Sequence, residues 1–199
     1  MNEAQLDVTA VFRLQAEWTE QWHSTPTTAL TVMPWVALER NHRMNFDLWH
    51  EEDVARRDDL GPERVRLAKR NIDRCNQARN DAVEQFDLWL LEQRPTVNAA
   101  SPQHSETPGM IVDRLSILAL KRYHMEIEAG RASATEEQRA RCRAKCDILR
   151  QQTSDLQHCL TRLLAELAAG TRHFKLYRQL KMYNDASLNP QLYGKPAAG

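Results

Sequence analysis

Residues 142–167, CRAKCDILRQQTSDLQHCLTRLLAEL, carry the most regular apolar pattern in the chain. The pattern consists of Cys142, Cys146, Leu149, Thr153, Leu156, Leu160, Leu163 and Leu167, at spacings that alternate between four and three. Side chains spaced in this way fall on one face of an α-helix, with a period of about 3.5 residues. The stretch therefore predicts a long helix, which begins near Thr135 and ends at Gly170.

The two cysteines that open this pattern are predicted to be packing residues. Cys142 and Cys146 both lie on the apolar face, where a free cysteine packs as a small hydrophobe. No second cysteine pair in the chain completes a zinc site. The chain also lacks a glycine-rich phosphate loop and a GxSxG nucleophile motif. The sequence therefore predicts no metal and no cofactor.

Turn residues divide the rest of the chain into further helices. The predicted helices before it are residues 2–23, 35–58, 62–94 and 107–129, and a short basic helix follows at residues 172–184. Residues 95–106 form a polar loop, and residues 188–199 form an irregular tail. The prediction is a single all-α domain over residues 1–199. It is a bundle of about five long antiparallel helices with a short C-terminal helix.

Composition excludes several classes of protein. The 199 residues contain 27 Lys and Arg against 27 Asp and Glu, so the net charge of zero argues against a nucleic-acid-binding surface. No apolar run approaches the length of a membrane span, and the first ten residues do not resemble a secretory signal. Without export, the four cysteines are expected to be free thiols. We expect a cytoplasmic protein that binds neither nucleic acid nor a membrane.

Three predicted helices place polar side chains, most of them ionisable, on their apolar faces. These residues are His42, Asn45, Glu52 and Arg56 in the second helix, Arg79 in the third, and Asp113 and His124 in the fourth. Burying an unpaired charge costs several kcal/mol, so such groups need partners or water. Two interpretations stay open: a structural network of paired groups, or a polar pocket inside the bundle that binds a ligand.

Four segments of the chain match the sequence of a known family. They are NFDLWHEEDVAR (Asn45–Arg56), IDRCNQARNDAVEQFD (Ile72–Asp87), ETPGMIVDRLSILALKRYHM (Glu106–Met125) and YRQLKMYNDASLNPQLYG (Tyr177–Gly194). Together they make the chain, over about residues 35–194, resemble the bacterial domain-of-unknown-function 4254 family. That resemblance implies no activity. It implies an all-helical bacterial protein associated with cell-surface polysaccharide biosynthesis, because members are often encoded near glycosyltransferases.

The resemblance and the helical patterns together define the candidate site. The candidate catalytic residues are His50, Glu52, Asp113 and His124, and the candidate ligand-binding residues are Asn45, Arg56, Asn76, Arg79, Asn80 and Lys121. A histidine, His124 or His50, would act as general acid or base, with Glu52 or Asp113 to orient it. The guanidinium groups would hold an anion. The expected ligand is a phosphorylated sugar, a nucleotide sugar or a similar anion.

Two alternatives remain beside this prediction. The first is a non-catalytic accessory protein that docks on a glycosyltransferase or forms a homodimer through helix faces and tyrosines such as Tyr183 and Tyr193. The second is a Mg²⁺-dependent nucleotide pyrophosphohydrolase, whose EExxE and ExxD motifs are partly matched by Glu51-Glu52 and by Glu84 with Asp87. Ala55 stands where the third glutamate of that pattern belongs.

Overall fold

Five long helices and one short pair of strands make up the described part of the structure, a computed structural model that describes residues 6–25, 30–93, 98–178 and 187–190. The helices are α1 (Val8–Ser24), α2 (Trp35–Ala55), α3 (Pro62–Glu92), α4 (Pro108–Gly130) and α5 (Glu136–Ala168). A single 3-10 turn, Asp58–Leu60, separates α2 from α3. The all-α prediction is confirmed.

The helix ends coincide with the capping signals in the sequence. The Thr107 hydroxyl accepts from the Met110 amide at the start of α4, and the Thr135 hydroxyl accepts from the Gln138 amide at the start of α5. Gly170 ends α5 with a φ of +68°, a conformation that glycine adopts without strain. The Thr171 amide then bonds to the Glu166 carbonyl at 3.0 Å, which closes the last turn.

The helices pair as two antiparallel hairpins. In the first, Glu51 of α2 contacts Arg64 and Asn71 near the start of α3, whereas Asn45 contacts Arg79 further along. In the second, α4 packs along α5, where Glu126 lies 3.6 Å from Arg150. α1 packs against α4 and closes the bundle.

The core draws apolar side chains from all five helices. Its buried members are Val8, Val11, Phe12, Ala37, Leu38, Phe86, Leu90, Ile111, Val112, Leu115, Ala119, Leu160, Leu163 and Leu164. The apolar face of α5 predicted from sequence reaches this core through Leu160 and Leu163, while Cys146 and Thr153 are buried earlier along the helix. Among the described residues, no helix combines the length and apolar character needed to cross a bilayer.

The predicted helix at residues 172–184 is wrong for the part that the structure describes. His173–Phe174 forms a strand, β2, that pairs in parallel with β1 (Gln103–His104), and residues 175–178 have no regular structure. The His173 amide donates to the Pro102 carbonyl at 3.2 Å, and both residues of β2 are buried. Pairing between distant segments therefore replaces the local helix. Most of the family-like segment Tyr177–Gly194 lies outside the described residues, and so do Tyr183 and Tyr193 within it.

Candidate functional site

A buried hydrogen-bond chain centred on His42 joins α1, α2 and α4. The Thr19 hydroxyl donates to the Gln15 carbonyl, so it accepts from His42 Nε2 at 2.9 Å. The Ser116 hydroxyl accepts a hydrogen bond from Asn45 Nδ2 at 3.0 Å and donates its own proton to His42 Nδ1 at 2.7 Å. These partners fix one neutral tautomer of His42. Burial lowers the pKa of His42 to about 3, and hydrogen bonding to the Gln15 backbone only partly opposes this effect.

Asp113 connects that chain to Arg79 of α3. One carboxylate oxygen, Oδ1, accepts from Nδ2 of both Asn41 and Asn45, each at 2.8 Å. The contacts of Arg79 are longer: Nη1 lies 3.4 Å from Asn45 Oδ1, and Nε lies 3.8 Å from Asp113 Oδ1. Arg79 Nε is buried and has no hydrogen-bond partner within the described part of the chain. The guanidinium is therefore positioned by its neighbours but is not saturated by them.

Arg79 and Asp113 line a cleft of about 730 Å³. Its charged and polar walls come from three segments: Arg79, Asn80, Asp81, Glu84 and Asp87 on α3; Ser105, Glu106, Thr107, Asp113 and Arg114 around the start of α4; and Lys175, Tyr177 and Arg178 after β2. The β1–β2 pair holds the third segment beside the start of α4. The lining includes both cations and carboxylates, so the cleft offers both hydrogen-bond donors and acceptors.

Two ion pairs lie at the rim of this cleft, and one of them links two of its walls. Arg114 Nη1 bonds to both carboxylate oxygens of Glu106, at 2.9 and 3.0 Å. Arg178 Nε lies 3.4 Å from Glu84 Oε1 and ties the segment after β2 to α3. The guanidinium groups of both pairs are largely exposed, and such surface pairs contribute little to stability. They therefore serve mainly to define the mouth of the cleft.

Asp87 is the buried carboxyl group of the cleft, and the sequence indicated it only as part of the pyrophosphohydrolase pattern. Its side chain has no solvent-exposed surface, and its Oδ1 accepts from the Gly109 amide at 2.7 Å. Burial raises the pKa of Asp87 to about 6, although the Gly109 amide and the nearby Thr107 hydroxyl act in the opposite direction. The available signals were a carboxylate inside the apolar run FDLWLL (residues 86–91) and a glycine in the first turn of α4.

The structure brings only some of the candidate residues together. Arg79, Asn80 and Asp113 line the cleft, and Asn45 lies behind them in contact with Asp113. Glu52 and Arg56 pair with each other at 3.0 Å on the surface of α2. Asn76 is half-buried on α3 and does not line the cleft. The proposed combination of Glu52 and Arg56 with Arg79 is therefore not formed.

His50 and His124, with Lys121, lie elsewhere in the bundle. Lys121 and His124 line a largely apolar groove of about 450 Å³ with Trp49 and Ile148. The rings of His23, His50 and His124 cluster with centroid separations of 5.2, 5.4 and 6.2 Å. Burial lowers the pKa of His124, and the two neighbouring histidines add to that effect. No set of three or more His, Cys, Asp or Glu side chains within the described ranges is arranged to hold a metal ion.

The two halves of the pyrophosphohydrolase pattern do not meet. Glu51 is held by Arg64 at 3.1 Å and by Asn71 at 2.8 Å, near the start of α3. Glu84 and Asp87 line the cleft, and Glu84 lies about 20 Å further along α3 than Asn71. A shared Mg²⁺ site would need these carboxylates around one ion. The described structure does not assemble that site.

Comparison with known proteins gives one match. No curated protein and no solved structure matches the chain. A family model matches residues 35–176, from the start of α2 to the segment after β2. The matched range contains every described wall of the cleft except Tyr177 and Arg178. Because the match covers more than two thirds of the sequence, the chain belongs to the family described as Protein of unknown function (DUF4254).

Proposed function

We propose that the cleft between α3, the start of α4 and the segment after β2 binds a phosphorylated sugar or a nucleotide sugar. The observation that carries this proposal is the state of Arg79, whose partly buried guanidinium lines the cleft and makes only long contacts with the other described residues. A buried N–H without a partner is costly, and a ligand oxygen would satisfy it. An oxyanion is the partner that a guanidinium binds best.

The other side chains of the cleft favour a hydroxylated anion over a simple anion. Lys175, which is exposed and lines the cleft, adds a further cation. Asp113 and Glu84 supply carboxylate oxygens, which accept hydrogen bonds from sugar hydroxyl groups. Tyr177 offers a ring and a hydroxyl group from a side chain that is 72% exposed. A cleft that bound only inorganic phosphate would gain nothing from these carboxylates.

The proposal also extends to the biological setting. Sugar phosphates and nucleotide sugars are the precursors that glycosyltransferases use, and the family resemblance implies an association with cell-surface polysaccharide biosynthesis. We therefore place the protein in the cytoplasm of a bacterium, where it would bind such a precursor.

A thermal-shift panel tests the binding proposal. The compounds are inorganic phosphate, glucose 1-phosphate, UDP-glucose and uncharged glucose, each with and without Mg²⁺. A ligand at about 100 times its Kd adds roughly 2.7 kcal/mol to the free energy of unfolding, which raises Tm by several degrees in a domain of this size. We expect a shift with at least one sugar phosphate or nucleotide sugar and none with glucose.

Two variants and a control complete this test. Arg79→Met should abolish the shift, and Lys175→Ala, which changes an exposed side chain, should reduce it without loss of stability. Arg13→Met, which removes an exposed cation of α1 that does not line the cleft, should behave as wild type. A panel without any shift would contradict the proposal and would favour the accessory-protein alternative. An unchanged shift in both Arg79→Met and Lys175→Ala would place the ligand elsewhere.

A further inference from the structure

The carboxyl group of Asp87 packs closely against Gly109 in the first turn of α4. A Cβ atom on Gly109 would lie 2.8–2.9 Å from the carboxyl atoms of Asp87, closer than any side chain permits. Glycine at this position therefore lets α4 approach the carboxyl group closely enough for the Gly109 amide to bond to Oδ1 at 2.7 Å. The geometry holds one oxygen of Asp87 in place.

The Thr107 hydroxyl lies near the carboxyl group of Asp87 and favours its ionised form, but it is not a hydrogen-bond partner of the second oxygen, Oδ2. Oδ2 is buried and has no hydrogen-bond partner among the described residues, although Asp87 lines the cleft. The side chain as a whole is fully buried, so a ligand hydroxyl group would reach Oδ2 only after a small shift of the side chains that cover it. A buried acceptor without a partner costs free energy, and a donor from a ligand in the cleft would recover it.

We propose that Asp87 Oδ2 accepts a hydrogen bond from a hydroxyl group of the bound ligand, and thereby makes the cleft select sugar-linked anions over bare anions. This inference rests on the proposed function of the cleft. Arg79 would bind the anionic group, and Asp87 would accept a hydrogen bond from the sugar to which that group is attached. The ionised carboxylate is the stronger acceptor for a hydroxyl group.

The ionisation of Asp87 gives this contact a measurable signature. Because burial raises the pKa of Asp87 to about 6, much of the carboxyl group is protonated at pH 5.5 in the free protein. A hydroxyl group that donates to the carboxylate favours the ionised form, so binding should release a proton at that pH. Phosphate esters titrate near pH 6 themselves. Sulfate esters remain fully ionised there and are therefore the cleaner probes.

The test uses glucose 6-sulfate and inorganic sulfate with the full chain, by titration calorimetry. We expect wild type to bind glucose 6-sulfate more tightly than sulfate. Asp87→Asn, which keeps an oxygen for the Gly109 amide, should weaken glucose 6-sulfate binding about tenfold. Its affinity for sulfate should stay within about twofold of wild type. Asp73→Asn, the same change on the exposed surface of α3, should leave both affinities unchanged.

A second measurement does not depend on any variant. Titrations of wild type with glucose 6-sulfate at pH 5.5, in two buffers of different ionisation enthalpy, report the protons released on binding. We expect a net release with glucose 6-sulfate and a smaller one with sulfate. Equal affinities for the two probes, or equal proton release, would overturn the role of Asp87 while binding itself stands. Failure of wild type to bind either probe or any sugar phosphate would instead overturn the proposed function, and this inference with it.

Discussion

At the scale of single residues, His42 stabilises the fold through two hydrogen bonds, and this contribution depends on pH because it requires the neutral ring. Its two ring nitrogens are bonded to Ser116 and Thr19, and the ring is fully buried. The tautomer that these bonds select carries one proton and no charge. A second proton would displace the Ser116 hydroxyl as a donor and would place a charge in the bundle. His42 therefore belongs to the structural network rather than to the chemistry of the cleft.

The first prediction concerns the stability that this neutral histidine provides. The pKa of His42 is lowered to about 3 in the folded chain, so between pH 6.5 and pH 3 the unfolded chain binds the proton more tightly. The contribution of His42 is fully present above pH 6.5 and is lost as the pH falls. At pH 5 the loss should be about 2 kcal/mol.

Urea unfolding of wild type and His42→Gln between pH 5 and pH 7.5 checks this prediction. Glutamine is uncharged at every pH, so the disadvantage of the variant relative to wild type should shrink by about 2 kcal/mol from pH 7.5 to pH 5. Thr153→Ala, a buried change in a group that does not titrate, serves as the control and should show a constant difference. If the difference in free energy of unfolding between wild type and His42→Gln were also independent of pH, the pKa of His42 would not be lowered in the folded chain, and the prediction would be wrong.

At the scale of elements, the close contact of α3 with the start of α4 forms the wall of the cleft. Asp87 bonds to the Gly109 amide, one residue after the Pro108 that begins α4. The sequence predicted both helices to within a few residues, because proline, threonine and glycine mark their ends locally. It did not predict the contact, since nothing local indicates which residue of α3 faces Gly109. The β1–β2 pair was missed for the same reason.

The second prediction follows from that contact. Gly109→Ala should destabilise the protein by about 1–3 kcal/mol, because its Cβ would collide with the Asp87 carboxyl group. Gly130→Ala at the other end of α4 is a matched control. A Cβ there would meet nothing within 4 Å, so its stability should be unchanged or slightly higher.

A double-mutant cycle assigns the cost to the contact itself. In an Asp87→Ala background, Gly109→Ala should lose most of its effect, because the colliding carboxyl group is gone. Urea denaturation of the four proteins provides the measurement. Equal effects of Gly109→Ala with and without the Asp87 side chain would mean that the loss of stability does not come from a collision with the carboxyl group.

At the scale of the whole molecule, the site consists of residues from distant parts of the chain. Arg79, Asp113 and Lys175 meet in one cleft, although they come from α3, α4 and the segment after β2. The apolar faces of the predicted helices indicated that Arg79 and Asp113 point inward, and both line the cleft in the structure. The same pattern predicted that His124 points inward beside them, but His124 lines a different groove. Helical periodicity reports the face of one helix but not which face of another helix it meets.

The third prediction concerns two buried groups, Asp87 and His42, whose contributions to stability change with pH in opposite directions. Asp87 has a pKa of about 6 in the folded chain against an ordinary value of 3.8, so the folded chain binds its proton more tightly between those values. Its effect on stability therefore falls as the pH rises from about 4 to 6, by about 3 kcal/mol in total. Over the same range, the effect of His42 rises with pH. Each slope is about 1.4 kcal/mol per pH unit, and they have opposite signs.

The two slopes cancel in wild type, so its free energy of unfolding should gain no net pH dependence from these groups between pH 4 and pH 6. Each single variant removes one of them. Asp87→Asn should leave a stability that rises with pH, whereas His42→Gln should leave one that falls. Asp87→Asn should also be more stable than wild type at pH 7.5, where the buried carboxylate is charged, and Asp73→Asn should not. If both variants showed the same dependence of the free energy of unfolding on pH, burial would not shift the pKa of either group. Water would then already solvate Asp87 in the free protein, before any ligand is bound.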